Sequence, residues 1–190
     1  MTGALERRLE DIVRRSKSLM QVLETAQDLD LPDWLIFSGA IYQRVLNHLT
    51  GRDLDYGIRD YDLGYFDASD TSYEAEDVVI RRVAAAFEPP LRELVEVRNQ
   101  ARVHLWFEGE FGEPYAPLTR TADALDRFTS ATFSVGVRLE ADDRLTVVAP
   151  FGLEDLFALR LRPNPARETN GFARTAASAT ARWPELTVAR

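Results

Sequence analysis

Apolar residues recur at helical spacing through residues 4–29, at Leu5, Leu9, Ile12, Leu19, Leu23 and Ala26, with arginines and glutamates between them. That period predicts one amphipathic helix. Pro32 follows its end, and the apolar run Trp34-Leu35-Ile36-Phe37 predicts a strand. The run breaks at Ser38-Gly39, after which Ile41, Val45, Leu46 and Leu49 restore helical spacing. Residues 51–57 read as a loop, and IRDYDLGYFD, residues 58–67, as a strand. Thr71-Ser72 is placed to cap a helix from Tyr73 to Phe87, which Pro89-Pro90 ends. Leu94–Val97 predicts a further strand. Residues 99–108 fit a helix capped by Asn99 or an alternating strand, and the helix is favoured. Beyond them come a short helix at 121–128 and a β-hairpin formed by 132–139 and 145–149. A helix at 152–161, a Pro-containing loop and a last helix at 172–183 complete the pattern.

Helices and strands alternate early, and a hairpin with helices follows. The fold class is therefore α/β (α+β), a mixed sheet flanked by helices. One domain is expected over 1–190, comprising the helix 4–29, a core at 34–110, and the hairpin and helical part at 121–188.

Composition adds exclusions. The 190 residues are 45% hydrophobic, enough for a core, and contain no cysteine, so disulfide and thiolate chemistry are out. No apolar run approaches the ~20 residues of a membrane helix, and MTGALERRLEDIVRRSKSL has no signal-peptide apolar core. The expectation is a soluble cytoplasmic protein. A formal net charge of −8 argues against an extended nucleic-acid partner, though not against a small nucleotide held with a metal.

The strand 58–67 raises the chemical question, because Asp60 and Asp62 interrupt an otherwise apolar segment. Residues two apart on a strand share a face, so the two carboxylates project together, opposite Tyr61 and Leu63. Paired buried carboxylates repel, and a divalent cation relieves that cost. Mg²⁺ suits one or two carboxylates plus phosphates. The alternative is an edge strand with both acids in water. Upstream, Ser38-Gly39 either simply caps a helix or brings backbone N–H groups to a phosphate. Asp67 faces away from the pair and is expected to cap the following turn.

A Ser-Gly turn, a helix, then a strand with Asp-x-Asp resembles the nucleotidyltransferase superfamily of the DNA polymerase β type. The chain is similar to one little-characterised bacterial nucleotidyltransferase-like family. The segments that carry this are SGAIYQRVLNHLTG (38–51), RDYDLGYFD (59–67), VEVRNQARVHLWF (95–107), FSVGVRLEADDRLTVVAPFGLEDLF (133–157), RPNP (162–165) and RWPELTV (182–188). The resemblance implies metal-dependent transfer of a nucleoside monophosphate from an NTP to an acceptor hydroxyl, with Mg²⁺ or Mn²⁺. By its template Asp60 and Asp62 are metal ligands and Ser38 and Gly39 meet the β- and γ-phosphates. The interval from the glycine turn to the Asp pair is longer than usual, and the loop 51–57 accounts for it. Glu96, between Val95 and Val97, is the candidate third carboxylate, a base or ligand, or else a solvated strand-face residue. Arg102 is a candidate phosphate contact, and it shares a helical face with Arg98. Asn99 and His104 complete a polar cluster with structural readings of their own. If Glu96 faces away, the alternative is a catalytically inactive nucleotide-binding regulatory protein of the same fold. A partner-binding protein without nucleotide is a weaker third reading.

Overall fold

The computed structural model describes residues 2–167 and 171–189. Its N-terminal amphipathic segment is two helices, α1 (Thr2–Arg15) and α2 (Lys17–Leu29), where the period alone predicts one. Ser16 makes the break. Its backbone is extended at φ −88° and ψ 105°, and its hydroxyl accepts the Leu19 N–H at 3.3 Å. A serine that satisfies a free helix N–H in this way starts a new helix. Both helices still bury one stripe, including Leu9, Ile12, Leu19, Leu23 and Ala26.

Next come β1 (Leu35–Phe37), α3 (Gly39–Leu49), β2 (Tyr61–Tyr65) and α4 (Tyr73–Ala86). A single turn, α5 (Leu91–Leu94), leads into β3 (Val95–Asn99). Asn99 thus ends a strand and does not cap a helix. The favoured helix at 99–108 is instead a 3₁₀ turn, Val103–Leu105, followed by α6 (Phe107–Phe111). Two further 3₁₀ segments, Thr121–Arg127 and Ala131–Phe133, precede the hairpin of β4 (Gly136–Leu139) and β5 (Leu145–Val148). The expected helix at 152–161 is only α7 (Glu154–Phe157), after which the chain enters β6 (Arg160–Leu161). α8 (Gly171–Arg182) and β7 (Thr187–Val188) follow.

The main sheet has the order β3-β2-β1-β4-β5, with β2 and β3 parallel and the other pairs antiparallel. A parallel pair needs a long crossover, and α4 supplies it. One face of the sheet carries Ile36, Tyr61, Leu63, Tyr65, Val97 and Val137 into the helical core. The other carries Leu35 and Phe37, which pack with Leu125 and Phe128. Asp62 and Glu96 lie on this second face, in register beside each other, and Phe37 is the partner of Asp62 on the opposite side. Gly64 lets Phe37 and Thr121 pack close on that face, since a Cβ there would lie 2.5 Å from Phe37 Cε1 and 2.9 Å from Thr121 Cγ2. The covering segment is fixed by Asp33, whose Oδ2 accepts the Thr121 N–H at 2.6 Å.

Arg44 ties these layers together. Its guanidinium is 0% exposed and donates to Ala40 O at 2.6 Å, Asp55 Oδ1 at 2.7 Å, Ser16 Oγ at 2.9 Å and Tyr61 OH at 2.9 Å. Asn47 adds bonds to the carbonyls of Leu54 and Tyr56, at 3.1 and 2.8 Å. The loop 51–57 is therefore anchored at its middle. Its extra length leaves β2 in place. Among the described residues no helix is long and apolar enough to cross a membrane.

Candidate active site

Ser38 is the hinge between β1 and α3. It is half-buried and sits at φ 66° and ψ −141°, a left-handed conformation that costs a non-glycine residue of order 1–3 kcal/mol. Unlike Ser16 and Ser72, which cap α2 and α4, it makes no side-chain cap to its helix. Its hydroxyl instead acts on the Asp62 carboxyl, drawing its pKa down. The α3 N-terminus thus keeps its positive end uncapped beside a carboxylate. Gly39 is buried, and a Cβ there would lie 2.5 Å from Gln43 Nε2 and 3.9 Å from Asp60 Oδ1. The Gln43 amide folds over the glycine and is held by Arg182, whose Nη1 donates to Gln43 Oε1 and to Gly57 O, each at 3.1 Å.

Asp60 lies just before β2 and Asp62 within it. The charge of Asp60 acts on Asp62, as expected for carboxylates sharing a face. Burial, the Asp60 charge and Glu96 push the Asp62 carboxyl up to about 6, against the Ser38 hydrogen bond and the Arg98 charge. A site that resists its own ionisation in this way favours a cation. Glu96 is exposed, one strand beyond Asp62. Burial also raises the Tyr42 hydroxyl, against the lowering effects of Gln43 and Arg182 and with those of Asp60 and Asp62. The Tyr42 ring stacks on Phe133 at 3.8 Å.

A cavity of about 370 Å³ opens over the acids, lined by Ser38, Asp62, Glu96 and Arg98 at one end. Trp106, Phe107, Tyr115, Phe128, Arg127 and Arg167 line the remainder. On the other side of Ser38 a groove continues past Tyr42 and Phe133 to Arg174 and Arg182 on α8. A strand, an uncapped helix start and paired carboxylates therefore meet at one point between two concavities.

A family model described as Nucleotidyltransferase matches residues 24–188. The chain belongs to this nucleotidyltransferase family. A solved NMR structure, described as revealing a CCA-adding enzyme head domain, matches with a TM-score of 0.75 at 22% identity, covering 95% of each chain. That likeness establishes the shared fold. No curated protein matches the chain. Family and fold together support nucleotidyl transfer as the general reaction.

Five of the sequence-derived candidates of this nucleotidyltransferase, Ser38, Gly39, Asp60, Asp62 and Glu96, converge at the junction. Arg102 does not. It pairs with Glu76, a residue only 2% exposed, and donates from Nε to Thr71 O at 3.2 Å. Glu76 also accepts the Asn99 N–H at 2.8 Å. Asn99 is equally structural, with Oδ1 accepting from Asp67 and Ala101, both at 3.1 Å. β3 alternates, so Arg98 faces the cavity, while Arg102, beyond the strand's end, turns to α4. His104 is half-buried outside the cavity, with Nδ1 unpaired. Asp67 accepts from Ser69 N–H at 2.9 Å and so caps its turn as expected. Arg127, Tyr115, Phe128 and Arg167 were not foreseen, because they lie in irregular segments where no period points a side chain inward.

The donor set fits a divalent metal that arrives with its substrate. Asp60 and Asp62 are two carboxylates on one edge, and an Asp62 that protonates easily is stabilised by a cation. Among the described residues no three His, Cys, Asp or Glu side chains form a metal cage. Mg²⁺ normally takes its remaining ligands from phosphates and water.

Proposed function

We propose that the protein transfers a nucleoside monophosphate from an NTP to the hydroxyl of an acceptor, using Mg²⁺ or Mn²⁺ held by Asp60 and Asp62. The observation that carries this reading is the meeting of an uncapped helix N-terminus at Ser38-Gly39 with the Asp60–Asp62 pair. Backbone N–H groups and the helix dipole favour the β- and γ-phosphates at the start of α3. The groove past Tyr42 toward Arg174 and Arg182 then accommodates the rest of the nucleotide. When bound, the metal neutralises the phosphates and stabilises the departing pyrophosphate. Ser38 orients Asp62. Glu96, exposed beside Asp62, accepts the acceptor's proton as the new P–O bond forms. The bond from the α-phosphorus to the pyrophosphate oxygen breaks in the same displacement. No lysine reaches the site, since Lys17 is the only one in the chain, so every local cation is a guanidinium.

The exposure of Glu96 favours a second reading, nucleotide binding without transfer. The two readings separate experimentally. Thermal stability against the four NTPs, with and without Mg²⁺ or Mn²⁺, is expected to rise only when metal and nucleotide are both present. Occupancy at a hundredfold excess over Kd adds about 2.7 kcal/mol. The shift disappears in Asp60→Asn/Asp62→Asn. Glu96→Gln keeps it and loses turnover. If no NTP shifts the wild type with either metal, the transferase reading is wrong.

A further inference from the structure

The cavity shares Ser38 and Asp62 with the nucleotide end of the site, and its remaining lining, from Glu96 to Trp106, Tyr115 and Arg127, is not used by the reading above. We propose that it is the acceptor site, and that it selects a small molecule joining a flat apolar ring to an anionic group. This rests on the transferase reading above.

In-line displacement puts the attacking and leaving oxygens on opposite sides of the α-phosphorus. Ser38 ends β1, Asp62 lies on β2 and Glu96 on β3, three neighbouring strands in that order. Adjacent strands are about 4.8 Å apart. Pyrophosphate held at β1 and α3 therefore requires attack from the β3 side, where the cavity opens. The acceptor oxygen attacks there, its proton passes to Glu96, and pyrophosphate leaves toward α3.

The lining states what the acceptor looks like. Trp106, Phe107 and Tyr115 form a continuous aromatic wall, with centroids 6.1 Å apart for the first pair and 4.5 Å for the second. Such a wall holds a flat ring by offset or tilted stacking. Arg127 is half-buried, its guanidinium 5.6 Å from the Tyr115 centroid, and among the described residues it has no carboxylate partner. Arg167 stands beside it, paired with Glu113 and donating to Arg127 O. A half-buried cation without a counter-ion is costly, and a planar oxyanion removes that cost through charge-assisted bonds. At the near end the two carboxylates Asp62 and Glu96 outnumber the Arg98 cation and disfavour an anion. The ligand is thereby oriented, anion at Arg127 and hydroxyl at Glu96. The volume, about 370 Å³, is at the small end of ligand pockets and suits one ring system, not a polymer.

The test uses the full chain and three probes: para-hydroxyphenylacetate (ring and carboxylate), tyrosol (ring, neutral) and lactate (anion, no ring). Tryptophan emission reports binding, because Trp106 lines the cavity while Trp34 and Trp183 are buried elsewhere. The first probe is expected to quench emission and to bind about tenfold more tightly than either of the others. Arg127→Gln removes about that tenfold preference and leaves the metal–NTP thermal shifts intact. Arg127→Lys restores part of it. Trp106→Leu abolishes the quench. Equal binding of tyrosol, no binding of para-hydroxyphenylacetate, or an unaltered Arg127→Gln variant overturns the proposal. Loss of the NTP shift in the cavity variants would place the nucleotide's base there, ending the acceptor assignment while the transferase stands. No NTP shift in the wild type would end both.

Discussion

Ser38 separates two readings that its sequence leaves open. A serine before a helix is usually its cap, and Ser16 and Ser72 behave that way. Ser38 adopts a left-handed backbone and leaves α3 uncapped, while its hydroxyl favours the ionised Asp62. Strain and an unused cap at one residue are defects in a merely structural turn and assets at a phosphate site. The same trade applies to the carboxylates. Asp62→Asn removes a charge that burial and Asp60 oppose, so the metal-free variant should be more stable than the wild type, by about 1 kcal/mol. Urea unfolding in EDTA checks this, and a less stable variant would mean that the pair is already compensated within the chain. Arg44 behaves oppositely. It was hidden in the sequence because it stands one residue from the apolar stripe of α3, yet it bonds Ser16, Ala40, Asp55 and Tyr61. Arg44→Met is expected to cost about 3 kcal/mol, because it strands the buried Ser16 and Tyr61 hydroxyls and the Ala40 carbonyl. A loss below about 0.5 kcal/mol, normal for surface sites, would contradict the role given to it.

At the scale of elements, the pattern of apolar positions located β1, α3, β2, α4, the hairpin and α8. It failed where side-chain hydrogen bonds decide. One serine divides α1 from α2 without breaking the apolar period, so the period could not reveal it. At 99–108 both periods were present, and neither accounts for what holds the segment. Asn99 closes the end of β3 against Asp67, and Glu76 reaches across from α4 to Asn99 N–H and Arg102. The intended phosphate contact, Arg102, is thereby used up in joining α4 to β3. Arg102→Gln should lower stability by about 3 kcal/mol, since it strands a buried Glu76, while Kd for the metal–NTP complex stays within twofold. A parallel titration of unfolding and of NTP binding separates the two effects. Weakened nucleotide binding in a folded Arg102→Gln protein would return this residue to the site.

Across the whole molecule, the acidic half of the site was legible because its residues lie on two regular strands and a helix start. The aromatic and basic half was not, since Trp106, Tyr115, Arg127 and Arg167 come together only through long-range placement of irregular segments. The opposite wall, at Phe133 and Tyr42, is backed by one clamp. Asp155 on α7 accepts from Arg160 Nε at 2.5 Å and from Arg162 Nε at 2.6 Å. The carbonyls of residues 160 and 162 in turn accept the hydroxyls of Thr132 and Ser130, each at 2.9 Å. Those residues lead into Phe133, against which Tyr42 stacks beside Ser38. Burial alone would raise the Asp155 carboxyl, but the Arg162 and Arg160 bonds outweigh it and hold it below the usual carboxylate value. A depressed folded-state value means that the unfolded chain binds the proton more readily. The clamp's contribution is then complete above the unfolded value of about 3.9 and is lost as pH falls through the lower folded one. Urea midpoints of wild type and Asp155→Asn at pH values from neutral to about 2 should therefore differ most at neutrality and converge in acid. A gap that stays constant with pH would show that Asp155 contributes packing and not its charge. Convergence would tie the acid sensitivity of this wall of the site to the one carboxylate that links α7, β6 and the segment behind Tyr42.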